Sequence, residues 1–152
     1  MINFSIVQGV LTLLIAGIAV YIAYQQYQTN ALKVRLDRYD RRLKVYEEVH
    51  KLLSLAARDA AVSLEDLLKF RVATSEAVFL FGAEIPEYLK EISTRGFNLL
   101  RWNDEYRDVT QARAADYDHQ KVVAGKHEEL QWLVAQIDTA VEKFKPYLDV
   151  SR

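Results

Sequence analysis

The stretch Phe4-Ser-Ile-Val-Gln-Gly-Val-Leu-Thr-Leu-Leu-Ile-Ala-Gly-Ile-Ala-Val-Tyr-Ile-Ala23 decides the architecture. It runs for 20 residues without a charge, and its polar members are Ser5, Gln8 and Thr12. A helix rising about 1.5 Å per residue carries such a run across the roughly 30 Å hydrocarbon core of a bilayer. Each charge inside that core would cost several kcal/mol, so the absence of charge over this length points to a transmembrane helix. A secretory signal instead needs a basic start, a shorter apolar core and a small-x-small cleavage site. Met1-Ile2-Asn3 carries no Lys or Arg. The segment reads as an uncleaved anchor.

Outward from this run the charge distribution is lopsided. The 152 residues carry 20 Lys+Arg and 21 Asp+Glu, a net charge of −1, yet none of these side chains precedes Lys33. Lys33, Arg35, Arg38, Arg41, Arg42 and Lys44 then cluster against only Asp37 and Asp40. Cations near a span stay on the cytoplasmic side, which places the N-terminus outside and the rest in the cytoplasm. The near-neutral total excludes a strongly basic nucleic-acid binder. With no Cys, a disulfide scaffold, a thiolate zinc site and a cysteine nucleophile are excluded too.

Two patterns mark the span. Tyr21, Tyr24 and Tyr27 share one side of the helix, as a belt with rings in the apolar layer and wet hydroxyls. Ser5, Gly9, Thr12, Ala16, Ala19 and Ala23 recur at alternating spacings of 4 and 3, a face of small residues. Such a face lets two spans approach closely; small residues are also common in any span, so the stripe alone leaves both readings open.

Beyond the span neither Gly nor Pro occurs from Gln25 to Phe81. Leu32, Leu36, Tyr39, Leu43, Tyr46, His50, Leu53 and Ala57 form a seam of period 3.5, with Val45, Val49, Leu52 and Ala56 beside it. Two stripes widen the buried face and favour a bundle over a strict coiled coil. Ser63-Leu-Glu-Asp66 resembles a capping box and predicts a helix to about Phe81, ended by a left-handed Gly82. Pro86 suits the first turn of a third helix bearing Leu89, Ile92, Gly96, Leu99 and Tyr106. A polar connection from Asp108 to Asp118 precedes a last helix from His119 to Leu148. Its predicted seam is Val123, His127, Leu130, Val134, Ile137, Val141, Phe144 and Leu148, with Pro146 near its end. The fold class is therefore all-α: a transmembrane helix (4–24), a stalk and first bundle helix (25–58), and the remaining cytoplasmic helices (59–149), in an antiparallel bundle of about four helices.

Three runs are distinctive: Ala23-Tyr-Gln-Gln-Tyr-Gln-Thr-Asn30, Leu36-Asp-Arg-Tyr-Asp-Arg-Arg-Leu-Lys-Val-Tyr-Glu47 and Glu76-Ala-Val-Phe-Leu-Phe-Gly-Ala-Glu-Ile85. With the ending Phe144-Lys-Pro-Tyr-Leu148, they resemble in the same order a group of small bacterial proteins, each a single span followed by a helical cytoplasmic domain. That resemblance implies a bacterial inner-membrane setting. It supplies no catalytic residues.

Chemistry is thinly signalled. Glu47-Glu-Val-His50 has the Glu-x-x-His spacing of di-iron bundles, but the further Glu-x-x-His and Glu residues of such a site do not accompany it, so no metal and no cofactor are expected. His50 and His127 each fall on a predicted seam; they read as two separate core histidines, or as a facing pair if the helices align in register. The Lys33–Lys44 cluster reads as a solvated surface that sets topology, or as a contact for anionic lipid headgroups. Asp104, Glu105 and Asp108 read as a solvent-facing acidic spot, and Phe79-Leu-Phe81 as a core plug whose turn can also present a partner surface. Neither a Gly-rich phosphate loop nor a nucleophile elbow occurs. The chain is thus expected to be a non-enzymatic scaffold, contacting the lipid bilayer and either a membrane-protein partner or its own copy, and no nucleic acid. Its alternative is a tethered sensor or effector that rearranges oligomerised spans.

Overall fold

A computed structural model describes residues 4–108, 110–112 and 115–149, with side chains from Val7 onward, so Ser5 of the small-residue face lies outside the described side chains. All regular structure among the described residues is helical. Four helices have ten residues or more: α1 (Phe4–Asp59), α2 (Leu64–Ala73), α4 (Glu84–Glu105) and α5 (His119–Phe144). A single turn, α3 (Ala77–Leu80), lies between α2 and α4, and a 3-10 turn (Lys145–Tyr147) follows α5. The chain divides into two compact units, Met1–Arg38 and Tyr39–Arg152, and α1 contributes to both.

In the first unit α1 keeps its apolar side chains exposed from Val7 to Tyr27. This part of α1 is long and apolar enough to cross a membrane.

The second unit holds the core, and its helix boundaries have local causes. After Asp59 closes α1, Ala60 adopts a φ of 51°. A left-handed residue after a helix end is the usual reversal, and it costs Ala roughly 1 kcal/mol where Gly would pass freely. Ser63 starts α2 with a full capping box: the Asp66 amide donates to Ser63 Oγ at 3.1 Å, and the Ser63 amide donates to Asp66 Oδ2 at 3.4 Å. Aspartate thus serves where Glu or Gln is commoner.

The helix expected to reach Phe81 stops at Ala73. Thr74 donates its hydroxyl to the Phe70 carbonyl at 2.7 Å, and Ser75 donates to Val72 at 2.8 Å. These side chains occupy last-turn carbonyls and end the α-helical ladder. Gly82 is not left-handed, which corrects that expectation. The chain turns through an extended Phe81 (φ −130°, ψ 168°) instead. A Cβ at position 82 would meet the Glu84 carboxylate and then the Tyr147 hydroxyl at 2.9 Å, both movable side-chain ends, so a larger residue there would push these two groups aside.

Pro86 does sit in the first turn of α4, whose face Leu89, Ile92, Gly96 and Leu99 is buried. Tyr106 lies just past the helix end and is exposed. Helix α5 is capped by Asp118, which accepts from the Lys121 amide at 3.0 Å. It runs antiparallel to α4: Tyr88 donates to the Gln136 carbonyl, Arg95 meets Glu129, and a Cβ on Gly125 would overlap the Trp102 ring. Helix α2 packs on α4 where Gly96 leaves room for Leu67.

The core narrows the α1 seam and shifts the phase of the α5 seam. From α1 it takes Val45, Val49, Leu52, Leu53 and Ala56, while His50 and Ala57 face solvent. From α5 it takes Leu133, Ala140 and Phe144; Val122 and Glu129 are buried on the same seam, while Val123, His127, Val134 and Val141 are exposed. On α1 the flanking stripe Val45, Val49, Leu52 and Ala56 is buried as expected, together with Leu53 of the seam; on α5 burial moves largely by one residue, about 100° of rotation, although Phe144 of the predicted seam is buried and Leu130, Ile137 and Leu148 pack against the core. Each fully buried Leu, Ile or Phe in this set contributes roughly 1.5–3 kcal/mol.

Candidate functional site

The small-residue face of the first unit is open. Gly9 and Gly17 have no heavy atom within 4 Å of where a Cβ would stand, and Ala16, Ala19 and Ala23 are exposed along the helix. Thr12 turns its hydroxyl inward, donating to the Gln8 carbonyl at 2.9 Å, so it presents a methyl group rather than a free donor. In the tyrosine belt two hydroxyls have partners on the next turn. Gln25 Nε2 donates to Tyr21 at 3.1 Å and Gln28 Nε2 to Tyr24 at 2.7 Å, while Tyr27 is exposed. Tyrosine followed four residues later by glutamine pairs the phenol with an amide, which satisfies part of its polar end on an otherwise apolar surface.

The cationic segment divides by environment. Lys33, Arg35 and Arg38 are exposed in the first unit, as Lys44 is in the second. Arg41 pairs with Glu76 at 3.4 Å. Arg42 is engaged in packing: it donates to the carbonyls of Leu80 at 2.9 Å and Tyr147 at 3.3 Å, and its guanidinium lies over the rings of Phe81 and Tyr147. A planar cation with several donors suits that position, closing α3 and the 3-10 turn at once. The Phe81 ring meets Phe144 and Tyr147 edge-on, at 5.3 and 5.2 Å between centroids. The Tyr147 hydroxyl donates to the Glu84 carboxylate, which lowers the acid's pKa and raises the phenol's.

The histidines are not core residues, which corrects that reading. His50 is exposed and its Nδ1 lies 3.3 Å from Ser54 Oγ; His127 is exposed on α5. Among the described residues no three His, Asp or Glu side chains gather as a metal-binding group. In the Phe79–Phe81 turn, Leu80 and Phe81 pack on the core, but Phe79 is 88 % exposed. Arg101 reaches Glu105 at 3.9 Å within the acidic spot.

Two features escaped the sequence reading. One is a polar network inside the α4–α5 contact, where Glu129 accepts from Arg95 at 3.1 Å and from Asn98 at 3.0 Å. Its trace in the sequence is that Glu129 falls on the Val122, Leu133, Ala140, Phe144 spacing. The other is a groove of about 480 Å³ between α2–α3 and α4, floored by Phe70, Leu89 and Phe97. At the α4–α5 contact, partial burial and the neighbouring Glu91 push the Tyr88 phenol well above the ordinary range. The chain matches no protein-family model, and no curated protein and no solved structure is similar to it.

Proposed function

We propose that the protein is a single-span anchor in a bacterial inner membrane, N-terminus out, whose cytoplasmic antiparallel helical bundle works by binding another protein or a second copy of itself. The observation that carries this reading is the surface of α1 from Val7 to Ile22. Large apolar residues such as Leu11, Leu13, Leu14, Ile15 and Ile18 stand exposed there without covering from the described chain. In water that surface is unfavourable by about 25 cal/mol per Å² of apolar area, whereas hydrocarbon accepts it. Lys33, Arg35 and Arg38 then follow as the cations that hold the trailing end in the cytoplasm. The likeness of the quoted sequence runs to small bacterial single-span proteins supports the same setting.

A second reading, a sensor or effector acting through oligomerised spans, draws on the open face around Gly9 and Ala16. Close approach of two such faces gives contacts that a rearrangement of the cytoplasmic unit can shift.

Membrane fractionation and topology mapping test the anchor. The protein should resist carbonate extraction, and a reporter fused after Arg152 should be active only in the cytoplasm. Release by carbonate, or a reporter active only in the periplasm, overturns the reading. Gly9→Leu combined with Ala16→Leu distinguishes the two modes: it weakens crosslinking between copies without blocking insertion if the spans associate, and changes nothing if the span is only an anchor.

A further inference from the structure

We propose that the groove between α2–α3 and α4 docks an acidic amphipathic helix of a partner protein; this deepens the interaction reading above and rests on it.

Three observations converge on the groove. Its floor is apolar and its size, about 480 Å³, suits several side chains of an inserted helix. Its walls carry Arg71 and Lys90, and none of its lining residues is acidic, in a chain whose net charge is −1. Neither cation has an ion-pair partner among the described residues, unlike nearby Lys69, which pairs with Glu65. Ser93 and Thr94 stand beside Lys90 on the α4 wall.

The third observation is apolar surface that the fold leaves uncovered. Helix α2 buries only Leu67 and Phe70. Leu64, Leu68 and Val72, spaced by four on the same helix, are exposed outside the groove lining. On α3, Val78 of the groove wall and Phe79 next to it in sequence are exposed as well. A ten-residue helix with two apolar stripes needs two partners; the core supplies one. A concave seat between two helices fits a third helix, whose apolar positions at i, i+3/i+4 and i+7 enter the groove. Cations flanking an apolar seat select carboxylates on the rim of that helix and disfavour a basic one.

The test places the photocrosslinking residue p-benzoylphenylalanine at Val78, an exposed residue of the groove wall, in the full chain, in native membranes. The expected result is an adduct with a different polypeptide. Its crosslinked peptide, sequenced by mass spectrometry, should be an amphipathic helical segment rich in Asp and Glu. Arg71→Glu with Lys90→Glu should cut the adduct yield roughly tenfold, while Arg58→Glu leaves it unchanged. If the double reversal alters the thermal transition of the two tryptophans, Arg71→Gln with Lys90→Gln replaces it, with a smaller loss expected. Adducts only with lipid or with the chain's own copy, an adduct whose yield is indifferent to both charge variants, or no adduct overturn the proposal. A second crosslinker at Val134 of α5 separates this failure from that of the interaction reading. Protein adducts at Val134 but none at Val78 refute the groove alone, and none at either position refutes both.

Discussion

Glu129 of α5 and Arg95 of α4 meet at 3.1 Å in a contact where Glu129 is 7 % exposed, and Asn98 occupies the second carboxylate oxygen. The Arg95 guanidinium also lies over the Trp132 ring. The carboxylate therefore ties two positions of α4 to one of α5; on its removal Asn98 loses this acceptor, while Arg95 keeps only the longer pair to Glu128 at 3.8 Å. Glu129→Ala should lower stability by about 2 kcal/mol, with Glu129→Gln losing less because one acceptor remains. Trp102 and Trp132, the two tryptophans of the chain, both belong to the second unit, so their fluorescence follows its unfolding in urea.

Val49 and His50 are neighbours in sequence on opposite sides of the packing boundary: Val49 is fully buried and His50 exposed. Val49→Asp should cost more than about 3 kcal/mol, since it buries an unpaired charge. His50→Asp should stay within about 0.5 kcal/mol of the parent. Equal sensitivity at the two positions would mean that the core extends around α1 to His50 as well.

Glycine to alanine changes should separate by location. At Gly125 the new methyl group overlaps the Trp102 indole, a rigid obstacle, and the net effect should be a loss of about 1–2 kcal/mol despite the better helix propensity of Ala. At Gly9 nothing lies within 4 Å, and the same change should leave the tryptophan transition where it was.

Tyr147→Phe removes the hydroxyl that donates to Glu84 while keeping the ring against Phe81. The Glu84 carboxyl has its pKa lowered from 4.5, so its contribution is present above that value and disappears as pH falls through the lower folded value. The Tyr147 phenol has its pKa raised from 10.0, so its contribution is present below that value and disappears as pH rises through the higher folded value. The parent should therefore melt above the variant across the neutral range, with the gap closing in strong acid and in strong alkali. A gap independent of pH would assign the effect to ring packing alone.

Arg42→Lys keeps the charge but loses the fork. It should leave membrane orientation unchanged in reporter fusions and destabilise the second unit by about 1–2 kcal/mol, because an ammonium cannot reproduce the paired carbonyl contacts and the stacking.

How much was legible in the sequence differs by element. The start of α2 could be read from Ser63 and Asp66, and that of α4 from Pro86, because caps and first-turn prolines act through groups within a few residues. The end of α2 could not, since Thr74 and Ser75 are ordinary residues until their hydroxyls turn back onto carbonyls. The left-handed turn went to Ala60 rather than to Gly82, whose amide instead donates to the Tyr147 hydroxyl 65 residues away. For the candidate site, the small face, the tyrosine belt and the cations are sequence features, but Arg42's engagement with Leu80 and Tyr147 depends on a distant part of the chain.

By itself the sequence determined the helical class, the number of long helices, and an apolar, charge-free stretch long enough to cross a bilayer, since all three follow from local periodicity and composition. Only the tertiary structure decided how burial is shared between adjacent stripes: on α1 the flank Val45, Val49, Leu52 and Ala56 is buried whole, while the seam beside it buries Leu53 but exposes His50 and Ala57. A repeat of 3.5 sets the pitch of an apolar stripe but not its phase: Leu43, Tyr46 and His50 share their spacing with Val45, Val49 and Leu52. The choice falls to whichever side Phe144, Leu67 and Ile92 approach, and with it go the burial of Glu129 and the exposure of His50, His127 and Phe79.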